Sequence, residues 1–261
     1  MKNSLVLAIS QSGQSPDIVQ VIEEGEKQGA MTLAITNAPE SPLAQAAQHV
    51  INVHAGVEKA VAATKSYTAE LLAIAMLSAA LDENETMLKD LYEVPEDVSQ
   101  ALKLEPVIGR AAERYYYARQ CLVVGRGYNY ATAFEWALKL KELIYITAEP
   151  YSSADFLHGP IAMVEKGFPV FLIAPSGKVL PELNNLVEKL KVEKQANLLV
   201  LSNHEQILEN CTTPIVLPDM PEWVSPIVSI VPAQLFCQAL AQARGLDTEN
   251  PRGLSKVTLT R

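Results

Sequence analysis

The sequence predicts an α/β protein built from parallel sheets flanked by helices. Short apolar runs alternate with stretches of helical periodicity along the chain. This alternation is typical of parallel strands, which need a crossover helix between them. Loops rich in glycine and serine follow several of the apolar runs, and the order of runs repeats once along the chain. These observations together predict the fold class and suggest a duplication.

The first half of the chain predicts three strands and two helices. An apolar run at 5–9 is followed by the loop SQSG and a helix at about 16–28. The next elements are strands at 31–35 and 49–53 and a long helix, rich in alanine and leucine, at about 59–81. Ser15 before Pro16 is typical of a helix cap. A capped helix N-terminus also suits a phosphate, so both interpretations of this loop stay open.

The second half predicts a similar series of elements. A strand at 121–124, the loop GRG and a helix come first. The following strands are predicted at 169–174, 198–201 and 214–217, with helices at about 180–193 and 225–244. Residues 92–119 predict one or two linking helices, with Pro95 in a first turn.

The two halves can be superimposed in sequence at a nearly constant offset of 164 to 166 residues. Four pairs carry this match: Gly13 with Gly177, Asn37 with Asn203, Val50 with Ile215, and Asp82 with Asp247. We therefore predict a duplicated domain, with two generic α/β stretches of similar loop length as the alternative. The predicted bounds are 1–90 for the first domain, 91–119 for the link, 120–247 for the second domain and 248–261 for a C-terminal tail.

The first copy has no counterpart of the strand and helix at 121–145. We expect it to be an incomplete domain, because a parallel sheet that lacks a strand leaves an uncovered edge. A shortened chain, a partial gene or a second subunit over the gap would each account for this. The sequence does not choose among them.

The composition favours a soluble, cytoplasmic, globular protein and does not exclude a small anionic substrate. The 261 residues are 49% apolar, and the net charge of −9 disfavours binding to nucleic acid. No signal segment opens the chain, and the apolar runs are interrupted too often to predict a membrane span. The three cysteines and four histidines are scattered, so we expect reduced thiols and no metal site.

The predicted helix at about 130–146 carries charge on an apolar background. Glu135, Lys139 and Glu142 are spaced to form one narrow stripe on that helix. Buried ionised groups need partners or a function, although a solvated stripe with a weak ion pair is the simpler interpretation. Lys141 falls off the stripe and is expected to be solvated or to have a structural role. His158, before Gly-Pro, is expected in a turn, where it could pass protons or have a structural role.

Six patches stand out along nearly the whole chain: SQSG (10–13), VAATKSYT (61–68), GRG (125–127), ALKLKE (137–142), AEPYSSADFLHGP (148–160) and PRGLSKVTLT (251–260). Together and in this order, they resemble the sugar isomerase (SIS) domain proteins. The resemblance is strongest to the isomerase half of glucosamine-6-phosphate synthases and to the SIS-type glucosamine-6-phosphate deaminases.

The resemblance implies two tandem SIS domains, each a parallel sheet flanked by helices, in a homodimer with shared active sites. It implies that Glu142 moves a proton between C1 and C2 of the sugar. It also implies that His158, from the partner subunit, opens the ring and that Lys256 reaches the carbonyl region. The implied site contains further residues that bind the phosphate, lie beside the sugar or order the site: Ser10, Gln11, Ser12, Ser15, Val61, Thr64, Glu135 and Lys139.

The resemblance further implies conversion of glucosamine 6-phosphate to fructose 6-phosphate and ammonia, with no cofactor or metal. No glutaminase segment precedes the SIS part, which disfavours the synthase reaction. Deglycation of a sugar-phosphate conjugate of an amino acid and non-catalytic sensing of a sugar phosphate are the alternatives. A structural or interaction protein without catalysis is the simplest remaining interpretation.

Overall fold

The computed structural model describes residues 3–254, which divide into two compact units. Within the described residues, unit 1 comprises residues 3–85 with 249–254, and unit 2 comprises Thr86–Thr248. Each unit contains one parallel sheet with helices packed around it. The predicted fold class is therefore confirmed, whereas the predicted domain bounds stay a prediction.

Unit 1 contains a three-stranded parallel sheet with strand order β1-β2-β3. The central strand β2 is buried from its second residue onward. Ile22, Ala34 and Leu43 pack together in the core of this unit. The elements are β1 (Leu5–Ile9), α1 (Pro16–Lys27), β2 (Met31–Thr36), α2 (Pro42–Ala46), β3 (His49–Asn52) and α3 (Lys65–Leu81).

Unit 2 contains a five-stranded parallel sheet with strand order β5-β4-β6-β7-β8. Its last three strands have the same order and direction as the sheet of unit 1, and β4 and β5 extend it on one side. Two 3-10 turns lie at Pro160–Met163 and Glu222–Val224. The elements are α4 (Glu85–Leu102), α5 (Glu105–Glu113), β4 (Gln120–Gly125), α6 (Asn129–Ile144), β5 (Thr147–Ser152), α7 (Ser153–Leu157), β6 (Pro169–Ile173), α8 (Leu180–Val192), β7 (Asn197–Ser202), α9 (Glu205–Glu209), β8 (Thr213–Val216) and α10 (Ser225–Ala243).

Three sequence predictions of local structure are wrong. The long helix predicted from about residue 59 begins only at Lys65, and residues 53–64 form a loop before it. Pro95 lies inside α4, not at a helix start, since Val94 and Ala101 continue the buried face on both sides of it. Strand β5 was not predicted, because it contains Pro150 and lacks an apolar run. A proline is tolerated there because β5 is an edge strand.

The sequence expectation about membrane spans is also wrong in one detail. Among the described residues, one stretch (Glu222–Ala243) has the length and composition of a membrane-spanning helix, with a mean hydropathy of 1.6. However, 78% of it is buried inside the protein. It includes α10, which packs on α5 and α6 as a core helix.

Four aromatic side chains form the centre of unit 2. Trp136 of α6 stacks on Phe171 of β6, with ring centroids 5.1 Å apart. Tyr115 and Phe236 meet Phe171 edge-on at 5.0 and 5.1 Å. All four side chains are at most 2% exposed. This cluster joins α6 and α10 to the sheet and thereby fixes the helix that carries the charged stripe.

Truncating the central ring of this cluster should destabilise unit 2. We expect Phe171→Ala to lower the free energy of unfolding by about 3–5 kcal/mol, because it removes buried area and leaves a cavity. Phe134→Ala on the exposed side of α6 is the control, with an expected change of about 0.5 kcal/mol. Urea unfolding followed by circular dichroism measures both. Equal losses in the two variants would contradict the packing described here.

Candidate active site

The charged stripe of α6 is a buried ion cluster. The Lys139 ammonium donates a hydrogen bond to Glu142 Oε2 at 2.8 Å and lies 3.2 Å from Glu135 Oε1. The side chains of Lys139, Glu135 and Glu142 are 5%, 11% and 25% exposed. The simpler interpretation, a solvated stripe, is therefore wrong. Lys141, off the stripe, is exposed as expected.

Burial and charge act in opposite directions on the groups of this cluster. Burial raises the pKa of Glu135, the Lys139 ammonium opposes the shift, and the Glu142 carboxylate adds to it. Burial by itself lowers the pKa of Lys139, but the two carboxylates outweigh burial and raise it above its ordinary value. Lys139 therefore stays charged at neutral pH.

The three groups differ in their access to water, which separates their roles. Lys139 and Glu135 are enclosed, whereas Glu142 is the most exposed of the three. A carboxylate held by an ammonium on one side and open on the other can exchange a proton with a bound molecule. The geometry thus favours Glu142 as the reactive group, with Lys139 between it and Glu135 holding it in position.

His158 lies at the C-terminus of the short helix α7, in the turn that was predicted. His158 is exposed. Within residues 3–254, the structure shows no hydrogen bond or ion pair between His158 and the charged stripe. Its contribution through a partner subunit stays a prediction. Lys256 lies outside the described residues, so its predicted role is likewise untested.

The loop SQSG of unit 1 joins the carboxyl end of β1 to the first turn of α1. Gly13 has a positive φ of 60°, and a Cβ there would overlap the Ser41 side chain, so glycine is required. The Gly13 N–H donates to Ser10 Oγ at 3.2 Å, and the Gln14 N–H donates to Ser12 Oγ at 3.4 Å. The loop is a tight turn with two hydroxyls, those of Ser10 and Ser12, shortly before the N-cap residue Ser15 of α1.

Ser15 is the N-cap residue of α1, with Pro16 in the first turn, as the sequence predicts. Its side chain, however, makes no capping hydrogen bond. Serine is favoured at this position because its oxygen usually accepts from the helix backbone. Capping therefore explains the position of Ser15 at the start of α1 but gives no role to its hydroxyl.

The corresponding loop of unit 2 is filled by a carboxylate of the protein itself. Glu222 Oε2 accepts a hydrogen bond of 2.9 Å from the Lys178 N–H, at the start of the helical region after β6. Gly177 lies against the same side chain, and a Cβ there would overlap the Glu222 carboxyl group. In unit 1 the neighbour of the equivalent Gly13 is the uncharged Ser41. The two loops thus differ in their capacity to accept an external anion.

Val61 and Thr64 lie in the loop that follows β3, so they share the carboxyl edge of the unit 1 sheet with SQSG. Both residues are half-buried. Glu58, which is not among the residues predicted from the sequence, has its carboxylate buried in the same loop and accepts hydrogen bonds from Thr64 and Ser66. The signal that could have found it is an acidic residue shortly before a helix start.

Among residues 3–254, no group of three or more His, Cys, Asp or Glu side chains is arranged to hold a metal ion. The chemistry of the described residues is instead that of carboxylates, an ammonium, an imidazole and hydroxyls. These groups suit proton transfer and the binding of an anion.

Comparisons with known proteins agree on one family. The profile described as "SIS domain" matches residues 1–80 and 114–243. The glutamine–fructose-6-phosphate aminotransferase (isomerizing) of Thermus thermophilus is 36% identical over 97% of this chain. The alignment covers 44% of that relative, so the chain spans less than half the length of the curated relative.

Two solved structures have the same fold. The C-terminal domain of glucosamine-fructose-6-phosphate aminotransferase from Francisella tularensis has a TM-score of 0.88 and 29% identity, covering 95% of this chain and 73% of that one. Glucosamine-6-phosphate deaminase from Thermotoga maritima has a TM-score of 0.79 and 24% identity, covering 100% of this chain and 76% of that one. The second similarity shows the fold alone.

Removing the central charge of the buried cluster should make stability depend on pH. Lys139→Met leaves the Glu135 and Glu142 carboxylates without their counter-ion, which raises the pKa of Glu135 further. A carboxyl with a raised pKa binds its proton more tightly in the folded state. The free energy of unfolding therefore falls as pH rises from the ordinary pKa of a glutamate through the raised pKa of Glu135.

We expect Lys139→Met to lose about 3–5 kcal/mol at pH 8 and distinctly less at pH 5. Urea unfolding at the two pH values measures the difference. The exposed Lys141→Met is the matched control and should change little at either pH. An equal loss at both pH values would show that Lys139 contributes packing and not charge.

Proposed function

The chain belongs to the SIS domain family, and we propose that it is an isomerase-type enzyme that acts on a sugar phosphate. The observation that carries the proposal is the buried cluster of α6, in which Lys139 holds Glu142 beside Glu135. An ion cluster this enclosed adds little to stability over an apolar helix, so a chemical role explains it better. The aminotransferases that match the chain are named for fructose 6-phosphate, which supports this substrate class.

In this proposal the serine loop of unit 1 binds the substrate's phosphate. Its hydroxyls and the N-terminus of α1 offer hydrogen-bond donors and a favourable dipole to an anion. Ser10, Gln11, Ser12 and Ser15 supply the loop, and Val61 and Thr64 lie beside the sugar. The loop of unit 2 is excluded from this role, because Glu222 already occupies the corresponding position.

The reaction we propose is the conversion of glucosamine 6-phosphate and water to fructose 6-phosphate and ammonia. After ring opening, Glu142 takes the proton from C2 and returns it to C1. In the same isomerisation the aldehyde oxygen O1 gains a proton and the C2 amine loses one, so C1 becomes an alcohol and the C2 amine becomes an imine. Water then adds at C2, and ammonia leaves. The hydrogen bond from Lys139 holds the Glu142 carboxylate in place for the first step.

Two further groups complete the proposed mechanism. His158, contributed by a second copy of the chain in a homodimer, relays the proton during ring opening, since an imidazole exchanges protons near neutral pH. Lys256 reaches the carbonyl region. The proposal also treats the two units as tandem SIS domains, which the shared strand order supports.

Neutralising Glu142 should abolish proton transfer while leaving the fold intact. We expect Glu142→Gln to lower kcat for ammonia release from glucosamine 6-phosphate by at least about a hundredfold, the usual contribution of a general base. Glu149→Gln, an exposed carboxylate on β5, is the control and should retain full activity. Equal activity of Glu142→Gln and the wild type would remove Glu142 from the mechanism. A wild type active on a fructosamine phosphate of an amino acid and inactive on glucosamine 6-phosphate would indicate deglycation.

The side chain of Ser15 separates phosphate binding from helix capping. We expect Ser15→Ala to raise KM about tenfold, because the charged phosphate of the substrate would lose its hydrogen bond from the Ser15 hydroxyl. The melting temperature should stay the same, since the hydroxyl makes no capping bond. Ser176→Ala in the loop filled by Glu222 is the matched control and should leave KM unchanged. A lower melting temperature of Ser15→Ala with an unchanged KM would instead indicate a cap.

A further inference from the structure

The loop between β3 and α3 contains a carboxylate in an unexpected place. Glu58 is 9% exposed, whereas its neighbour Val57 is 76% exposed. The burial of the two residues is thus the reverse of what their polarity predicts. An acidic side chain is buried in this way only where hydrogen bonds compensate for the lost hydration.

Glu58 accepts three hydrogen bonds from the loop and the first turn of α3. One carboxylate oxygen, Oε2, accepts from the Thr64 N–H at 3.2 Å, the Ser66 N–H at 3.0 Å and the Ser66 hydroxyl at 2.7 Å. The N-terminus of a helix favours a negative charge. Glu58 therefore caps α3 from a position six residues before Thr64.

Glu58 accepts the hydrogen bonds that the side chain of an N-cap residue normally accepts from the helix backbone. Thr64 is the N-cap of α3, and its side chain makes no capping hydrogen bond. The carboxylate of Glu58 satisfies the backbone donors instead. The backbone that carries the Thr64 side chain is thereby fixed.

The carboxylate also closes the loop that contains Val61. The segment 58–64 begins at the carboxylate and returns to it through the Thr64 N–H, so both ends of the segment are held together. Ala62, in its middle, is 4% exposed and fixes the segment against the unit. Val61 and Thr64 are half-buried members of this closed segment.

We infer that Glu58 is a positioning residue for substrate binding, acting through the segment that carries Val61 and Thr64. The inference rests on the proposed function, in which these two residues lie beside the sugar. Glu58 does not touch the reacting atoms in this account. It determines where the sugar side of the site lies relative to the serine loop of the same unit.

The test compares Glu58→Gln and Glu58→Ala in the full chain, with glucosamine 6-phosphate as substrate. Glutamine keeps the volume and one acceptor oxygen, whereas alanine removes the acceptor. We expect KM to rise about tenfold or more in Glu58→Ala and less in Glu58→Gln. We expect kcat of the folded enzyme to change less than about threefold, because Glu142 is untouched.

Ala73→Gly in the middle of α3 is the matched control. It weakens the same helix through backbone entropy and leaves the carboxylate in place. A purely structural role of Glu58 predicts that KM stays the same in all three variants and that the melting temperature alone falls. A rise of KM that Ala73→Gly does not share supports positioning. An unchanged KM in Glu58→Ala, with an active wild type, overturns the inference and leaves the proposed function standing.

Amide hydrogen exchange separates this inference from the proposed function. Protection of the Thr64 and Ser66 amides should fall about tenfold or more in Glu58→Ala and should be retained in Ala73→Gly, because the carboxylate is their acceptor. If the wild type neither turns over nor binds glucosamine 6-phosphate, the proposed function fails. Retained protection of both amides in Glu58→Ala would then overturn the inference on its own.

Discussion

The buried ammonium of Lys139 is the interaction on which the candidate site depends. It lies between two carboxylates on a helix that is otherwise apolar and packed against the aromatic centre of unit 2. Each carboxylate would be costly to bury alone, and the ammonium compensates for both. Because α6 holds all three groups, their geometry is fixed by the helix and does not depend on a mobile loop. The part of the cluster that reaches water is Glu142, which is where a substrate could meet it.

The second constraint is how each loop at the carboxyl edge of a sheet satisfies its backbone donors. In unit 2, Glu222 provides an internal carboxylate for the loop after β6. In unit 1, Glu58 provides one for the start of α3, whereas the loop after β1 has serine hydroxyls as partners. Three loops at comparable positions thus have different electrostatic states, and the serine loop is the one without a carboxylate partner. Of these three loops, the serine loop is therefore the one proposed to bind an external anion.

Much of the fold and of the charged stripe could be predicted from the sequence, because both depend on local periodicity. The strands at 5–9 and 198–201 are apolar runs with helices after them, and the spacing of Glu135, Lys139 and Glu142 places them on one face. Burial of the stripe could not be predicted, because it depends on the packing of α10, which lies far along the chain.

Strand β5 and the late start of α3 could not be predicted for similar reasons. An edge strand needs no apolar run, and the start of α3 is set by the side chain of Glu58. The role of Lys256 lies outside the described residues.

The charge state of Lys139 is the most direct test of this account. Nitrogen-detected NMR of lysine side chains, assigned by comparison with Lys139→Met, follows each ammonium as the pH is raised. We expect the Lys139 ammonium to persist to a higher pH than the ammonium groups of exposed lysines such as Lys141. The reason is that two carboxylates raise the pKa of Lys139 above its ordinary value. A Lys139 that loses its proton below the exposed lysines would show that burial outweighs the carboxylates. The cluster would then not hold Glu142 as described.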